Sequence, residues 1–366
     1  MKKNQEHQKK LEELRSQINK IDDKILNLLN ERAKLVIDIG NIKKNKNLEV
    51  YQPEREDAII KRVVNNSEIL PKDSIEAIWK EIFSASKLIQ GQIDKIGYLG
   101  PKGTFTHQAA LEFFPKAGSR FIPFKTIIEI FENIQKKNLN YGVIPIENSL
   151  QGTVRETLDL LIEKDLIIFG EVELRIIQNL ISAKSSDISK IKKIYSHPQA
   201  FAQTSSWLKA NLPAAEKINA NSTAEAVKIV KEQNQTDVAA IGTSFASEVY
   251  GLKVLNSHIE DIPSNFTRFL IISNKENKIK KGKIKTTIVY VVKDIPGALY
   301  RVLEIFAKAN INLSKIESRP RRKGRWEYIF YMDFEGDIDD LKIKDVLEKV
   351  EHNVIWYKIL GSYPGS

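Results

Sequence analysis

With 366 residues, 42% of them apolar, the chain exceeds what one compact core holds and predicts two or three domains. It has no Cys and five scattered His in no metal-ligand spacing, which excludes disulfides, a thiol nucleophile and a thiolate metal site; no metal and no other cofactor is expected. The formal charge of +10 comes from Lys spread along the chain, as in KKNKN and KEQNQ, so it reads as solvated surface and predicts neither nucleic acid nor membrane as a partner.

The N-terminus, MKKNQEHQKKLEELR, has charges where a signal peptide would be apolar, and no apolar run approaches the roughly 20 residues of a membrane span. A cytoplasmic protein is expected. From Leu11 the apolar residues recur at 11, 14, 18, 21, 25 and 28, then at 35, 39 and 42, which predicts a long helix with a coiled-coil-like stripe. Arg32 fills the gap in phase, and a guanidinium in a seam needs an anion. Lys43 lies about three turns on, roughly 16 Å along the axis, so the two cations could close around a small dianion. Arg15 is about 25 Å from Arg32 on the same helix and reaches that ligand only from an antiparallel partner helix, which predicts a homodimer or higher homo-oligomer. The alternative is a dimerisation arm in which Arg32 meets a partner Glu. A second helix begins near Glu54, with Arg55 and Glu56, and a third runs from about Ser74 to Gln90.

After GQIDK the pattern changes to alternating strand and helix. KIGYLG, YGVIPIE, KKIYSH, EKINAN and VAAIG each lead through a polar junction into a helical stretch, five units of an α/β domain with its chemistry at the strand ends. Thr104, Asn148, Ser149, Pro198 and the capping box Ser222 to Glu225 mark helix starts. Capping explains each; several helix N-termini around one crevice would also attract an anion. Neither G-x-x-x-x-G-K-[ST] nor G-x-G-x-x-G occurs, which favours a carboxylate over a nucleotide. SNFTRFLII, residues 264 to 272, then places Arg268 in an otherwise apolar strand, with a carboxylate of the protein or of a ligand as its partner. KENKIKKGKIK, Lys275 to Lys285, reads as a solvated linker, and beyond it the elements run β-α-β-β-α-β, a ferredoxin-like order.

LR at 14 and 15, ER at 31 and 32, IK at 42 and 43, YQPERE at 51 to 56 and SASKLIQ ending at Gln90 resemble the all-helical chorismate mutases, intertwined dimers that rearrange chorismate to prephenate. The resemblance implies that Arg15 of one chain and Arg32 of the other hold the substrate carboxylates. It implies further that Lys43 and Gln90 donate to the ether oxygen, Glu56 holds the ring hydroxyl and Arg55 supports them, with Gln52 and Ser86 beside the substrate. The sequence departs from the family at Gln52, where Asp is usual.

GPKGTF (100 to 105), IPIENSLQGTV (144 to 154), SHPQAFAQ (196 to 203), STAEA (222 to 226), AAIGTSFASEVYGL (239 to 252) and NFTRF (265 to 269) resemble prephenate dehydratase. That implies a two-lobed, periplasmic-binding-protein-like domain with its site in the cleft. Thr267 would be the catalytic threonine and Arg268 would meet a prephenate carboxylate. Thr104, Asn148, Ser149, Ser222, Thr223 and Phe269 would bind substrate, with Glu147 and His197 the nearby acid-base groups. DIPGALYRVL (294 to 303) and ESRP (317 to 320) resemble the ACT domain, implying that Gly297, Ala298 and Leu299 with Glu317, Ser318, Arg319 and Pro320 sense L-phenylalanine.

The expected architecture is therefore multidomain: an all-α three-helix unit (1–92), an α/β two-lobed domain (96–273) and an α+β ferredoxin-like domain (284–366). In that order the segments resemble the bifunctional proteins of phenylalanine biosynthesis, with chorismate and prephenate as substrates. The rival readings are a dehydratase with an inactive helical dimerisation arm, an amino-acid-binding protein without turnover, and a nucleic-acid binder.

Overall fold

The computed structural model describes residues 2–45, 53–183, 185–278, 282–320 and 328–365. Gln52 and three residues of the Lys-rich stretch, 279 to 281, lie outside them. The chain divides into two compact units, residues 1–93 with 115–119, and residues 94–114 with 120–366.

The first unit is helical: α1 (Lys2–Asn45), α2 (Pro53–Asn65) and α3 (Lys72–Ile89). α1 extends nine residues upstream of Leu11, the first position of the stripe, because nothing in KKNQEHQKK breaks a helix. Its buried Val36 and half-buried Arg32, Ala33, Gly40 and Lys43 lie on one side, at spacings of three and four residues. The apolar stripe lies on the adjoining face. Leu11, Leu14, Ile18, Ile21, Ile25, Leu28, Leu35, Ile39 and Ile42 are all 42% to 64% exposed in the single chain.

The second unit opens with β1 (Asp94–Leu99), α4 (Phe105–Phe113), β2 (Ser119–Phe124), α5 (Ile127–Gln135), β3 (Tyr141–Asn148), the short β4 (Gly152–Thr153), α6 (Arg155–Glu163) and β5 (Ile167–Arg175). A second group follows: β6 (Asn179–Ser182), β7 (Lys193–Ser196), α7 (Pro198–Gln203), α8 (Ser205–Asn211), β8 (Glu216–Asn219), α9 (Thr223–Gln233), β9 (Val238–Gly242), α10 (Ser244–Tyr250) and β10 (Lys253–Asn256). β11 (Phe266–Ser273) then returns to the first sheet. The strand orders are β2-β1-β3-β11-β5, with β4 on β3, and β10-β6-β9-β7-β8. The five expected strand-helix units thus divide between two sheets, joined by 176–178 and 257–265, which makes the two lobes and the cleft.

β11 lies antiparallel between β3 and β5, with Thr267 opposite Asn148 and Arg268 opposite Glu147. Because side chains alternate along a strand, Phe269 and Ile271 join the core under α4, while Leu270 and Ile272 join the core on the other face.

The remaining elements are β12 (Ile284–Val291), α11 (Ala298–Lys308), β13 (Leu313–Pro320), β14 (Tyr328–Glu335), α12 (Leu341–Asn353) and β15 (Trp356–Pro364), in a sheet of order β13-β14-β12-β15. One face carries Ile288, Tyr290, Met332 and Phe334 against α11 and α12. The other carries Val289, Val291, Tyr331 and Tyr363 into the same core as Ile144, Leu158, Leu270 and Ile272. Burial of this shared face, at roughly 25 cal/mol per Å² of apolar surface, couples the third sheet to the first. Lys285, expected in a solvated linker, is instead in β12, with Nζ 2.6 Å from Oε1 of the fully buried Glu171. A buried carboxylate requires such a partner.

Candidate active sites

In the helical unit Arg32 donates through Nη1 to the Ser86 hydroxyl, which in turn donates to the Ile82 carbonyl at 2.7 Å. The guanidinium also lies over Phe83, 5.5 Å from the ring centroid. Burial lowers the Arg32 pKa, partly countered by the Glu56 carboxylate. Glu56 is 3.3 Å from Lys87 of α3. Gln90 packs on Gly40, where an added Cβ would meet its Cγ at 3.0 Å, and its buried Oε1 has no partner among the described residues. Arg32, Ser86, Glu56 and the Gln90–Gly40 contact therefore occupy the faces that α1, α2 and α3 present to one another. Lys43 is half-buried on the same face of α1. Arg15 and Arg55 are exposed, Arg15 toward the N-terminal half of α1, far from Arg32.

In the second unit Asn148 ends β3 and its side chain has one possible orientation. Oδ1 accepts from the backbone N–H groups of Leu150 and Gln151, both at 3.1 Å, so Nδ2 must face the other way. There it donates to Thr267 Oγ1 at 2.8 Å, to Asn265 Oδ1 at 2.7 Å and, more weakly, to the Phe266 carbonyl at 3.1 Å. Thr267 Oγ1 is thereby an acceptor toward the protein, and its own proton remains for donation. Ser149 serves the same junction: its hydroxyl accepts from Phe266 N at 2.9 Å. Asn265, which the sequence reading did not single out, is 1% exposed and completes the Asn148–Thr267 triad. A buried polar residue just before an apolar strand is the signal that could have found it.

Asn265 also lines a cavity of about 280 Å³, whose wall includes Gln151 from the first lobe and Gln199, Gln203 and Asp261 from the second lobe and its return segment. Thr104 and Ser222 act as helix caps. Thr104 accepts from His107 N at 3.2 Å and donates to the Leu99 carbonyl at 2.9 Å, which commits its single proton. Ser222 accepts from Glu225 N at 3.0 Å, and Thr223 begins α9 beside it. His197 caps α7 through Nδ1, which accepts from Gln199 N at 3.2 Å. His107 is stacked on Tyr98 at 4.4 Å, and burial, with Lys102 nearby, lowers its pKa to about 4, so it is neutral at physiological pH.

Two expected substrate contacts are occupied otherwise. Phe269 is 2% exposed and fills the core beneath α4. Arg268 has carboxylate partners of the protein's own. Its Nη2 donates to Asp333 Oδ2 of β14 at 2.6 Å, and its Nε stands 3.2 Å from Glu171 Oε2, a charge contact without hydrogen-bond alignment. Nη1 is 3.9 Å from Glu147. Burial alone would lower the Arg268 pKa; Asp333, Tyr363 and Glu171 outweigh it and raise the value, so the guanidinium is firmly charged.

β13 carries the Glu-Ser-Arg-Pro stretch, and its alternation splits the four residues. Glu317 bonds the Thr153 hydroxyl, and Arg319 donates to Asp159 at 2.8 Å and to the Arg155 carbonyl at 3.0 Å, both toward the first sheet. Ser318 and Pro320 are exposed on the opposite side. Gly297, at φ +77, turns the chain into α11, where Ala298 is buried and Leu299 packs on the helix-side core.

Comparison with known proteins matches residues 14–91 to chorismate mutase type II, 96–277 to prephenate dehydratase and 286–352 to the ACT domain. The chain is 43% identical over 359 residues to the bifunctional chorismate mutase/prephenate dehydratase of Aquifex aeolicus, covering 97% of this chain and 98% of that one. It is 39% identical to the Pseudomonas aeruginosa protein of the same name, covering 98% of each. Among solved structures, prephenate dehydratase from Arthrobacter aurescens in complex with L-Phe superposes with a TM-score of 0.67 at 32% identity, over 74% of this chain and 89% of that one. With the three matched segments in the same order along nearly the whole length of such relatives, this chain belongs to the bifunctional chorismate mutase/prephenate dehydratase family.

Proposed function

We propose that the chain performs two consecutive steps of L-phenylalanine biosynthesis: rearrangement of chorismate to prephenate in the helical unit, and decarboxylative dehydration of prephenate to phenylpyruvate in the two-lobed cleft. L-Phenylalanine, the molecule in the A. aurescens complex, is the feedback effector and acts through the ACT sheet. The domains run 1–92, 96–273 and 284–366.

The pericyclic step needs no acid, base or nucleophile; it needs a compressed conformer and donors where charge develops on the ether oxygen. Arg32, Lys43 and Gln90 supply these from one chain, and Arg15 comes from a partner chain to hold the second carboxylate. The exposed stripe of α1 supports this homodimer: apolar side chains left half exposed along some thirty residues of helix gain about 1 kcal/mol each from burial against a second copy.

In the second step the electron pair of the bond to the ring carboxylate enters the ring as carbon dioxide leaves. The ring C–O bond breaks and the departing hydroxide takes up a proton as water. A threonine hydroxyl is too weak an acid to transfer that proton fully at neutral pH, so Thr267 acts by hydrogen-bond donation to the leaving oxygen. The observation that carries this reading is the Asn148 amide at 2.8 Å, which occupies Thr267 Oγ1 as an acceptor and leaves its proton for the substrate. Thr267→Ala is expected to lower dehydratase kcat by about 10²- to 10³-fold with KM within a few-fold, and Thr267→Ser to retain most of it. Near-normal turnover of the alanine variant would overturn the assignment.

A further inference from the structure

At least seven charged side chains meet where the ACT sheet covers the strand that carries Thr267, Glu317 among them at 3.5 Å from Lys315. Arg268, Lys285 and Lys315 alternate with Asp333, Glu171 and Glu147, at 2.6 Å for Arg268–Asp333, 2.6 Å for Lys285–Glu171 and 2.8 Å for Lys315–Glu147. Asp333 is fixed from its other oxygen, since Thr287 donates to Oδ1 at 2.7 Å and also contacts the Tyr363 hydroxyl at 2.7 Å. Asp333 and Glu171 are buried, so removal of the Asp333 charge leaves the Arg268 guanidinium with Glu171 as its one remaining carboxylate within 3.5 Å among the described residues.

Its members adjoin the reacting groups in sequence. Arg268 follows Thr267, and Glu147 precedes Asn148, on neighbouring strands with both pairs in register. Their side chains leave the opposite face of the sheet from Thr267, so they cannot reach the same ligand; they set the strand positions from which Asn148 and Thr267 meet. Two of their partners, Asp333 and Lys315, belong to the ACT sheet.

We infer that Arg268 is a positioning residue, held by Asp333 of the ACT domain, and that this ion cluster makes the geometry of the Asn148–Thr267 pair depend on the regulatory sheet. The inference rests on the assignment of Thr267 to the dehydration. The ACT sheet is then part of the dehydratase site, and a displacement of β13 and β14 by the effector reaches Thr267 through side chains two bonds of the network away. Small shifts suffice, because a misplaced donor loses much of its effect on the transition state.

The test is the near-isosteric Asp333→Asn in the full chain, with dehydratase kcat and KM measured on prephenate, mutase turnover on chorismate and inhibition by L-phenylalanine. The expected result is a fall in kcat of roughly 10- to 100-fold with KM within a few-fold, unchanged mutase turnover and a several-fold weaker response to phenylalanine. Should that variant fold poorly, Thr287→Val keeps Asp333 in place with one hydrogen bond fewer and is expected to lower kcat in the same direction by a smaller factor. Wild-type kcat and wild-type phenylalanine response in the folded variants would overturn the inference, as would an Arg268→Lys chain whose KM rises tenfold while Asp333→Asn is silent, since that pattern belongs to a direct substrate contact. Thr267→Ala assayed alongside separates the two readings: normal turnover there overturns the role of Thr267, whereas the Asp333 result reports on the ion cluster.

Discussion

Asn148 is worth more to the dehydratase site as an amide than its shape alone requires. Its oxygen is committed to Leu150 N and Gln151 N, so only the nitrogen can face Thr267. Asn148→Asp preserves the shape and the two backbone bonds but presents an acceptor to Thr267, whose hydroxyl must then donate inward. The expected outcome is a loss of dehydratase kcat of about 10²-fold with KM little changed, measured on prephenate. Unaltered kcat would show that the Thr267 proton is not the one used. Such roles are partly legible in sequence. The caps at Thr104 and Ser222 follow from residue type and spacing, whereas the partners of Arg268 do not. Asp333 lies 65 residues away in another domain, and nothing local in NFTRF distinguishes an internal carboxylate from a substrate's.

At the scale of elements, periodicity carries most of the prediction and alternation carries its corrections. The stripe of α1 was legible from Leu11 onward, but the sequence pattern joined Arg32 to it. In the helix Arg32 stands at the border between that stripe and the face with Val36 and Gly40, and α3 covers the second side and leaves the stripe bare. The pattern alone yields five strand-helix units and not β2, β5, β6 and β10, so the division into two lobes came from the resemblance to prephenate dehydratase, and the two sheets agree with it. The bare stripe yields a test of site sharing. If each mutase site takes Arg15 from one chain and Arg32 from the other, inactive Arg15→Ala and Arg32→Ala chains refolded together regain about a quarter of wild-type mutase activity, half the dimers being mixed with one intact site in two. A mixture no more active than its parents would place both arginines in one chain's site.

For the molecule as a whole, the ACT sheet shares a hydrophobic core with the lobe that carries Thr267, and the ion cluster lies at its edge. That continuity was not legible, because the Lys-rich segment reads as a linker until Lys285 is seen against Glu171. Much of the remaining positive charge behaves as the sequence suggests, with exposed pairs one helical turn apart such as Lys228–Glu232 and Lys349–Asp345, each contributing a few tenths of a kcal/mol. The central claim, that one chain carries out both steps under control of its own sensor, is tested most directly by a single time course. Purified full-length protein is given chorismate, and chorismate, prephenate and phenylpyruvate are followed together with and without L-phenylalanine. The account predicts that prephenate rises and then falls as phenylpyruvate forms, with phenylpyruvate formation suppressed by phenylalanine. Unchanged chorismate, or prephenate accumulating without phenylpyruvate, would contradict it.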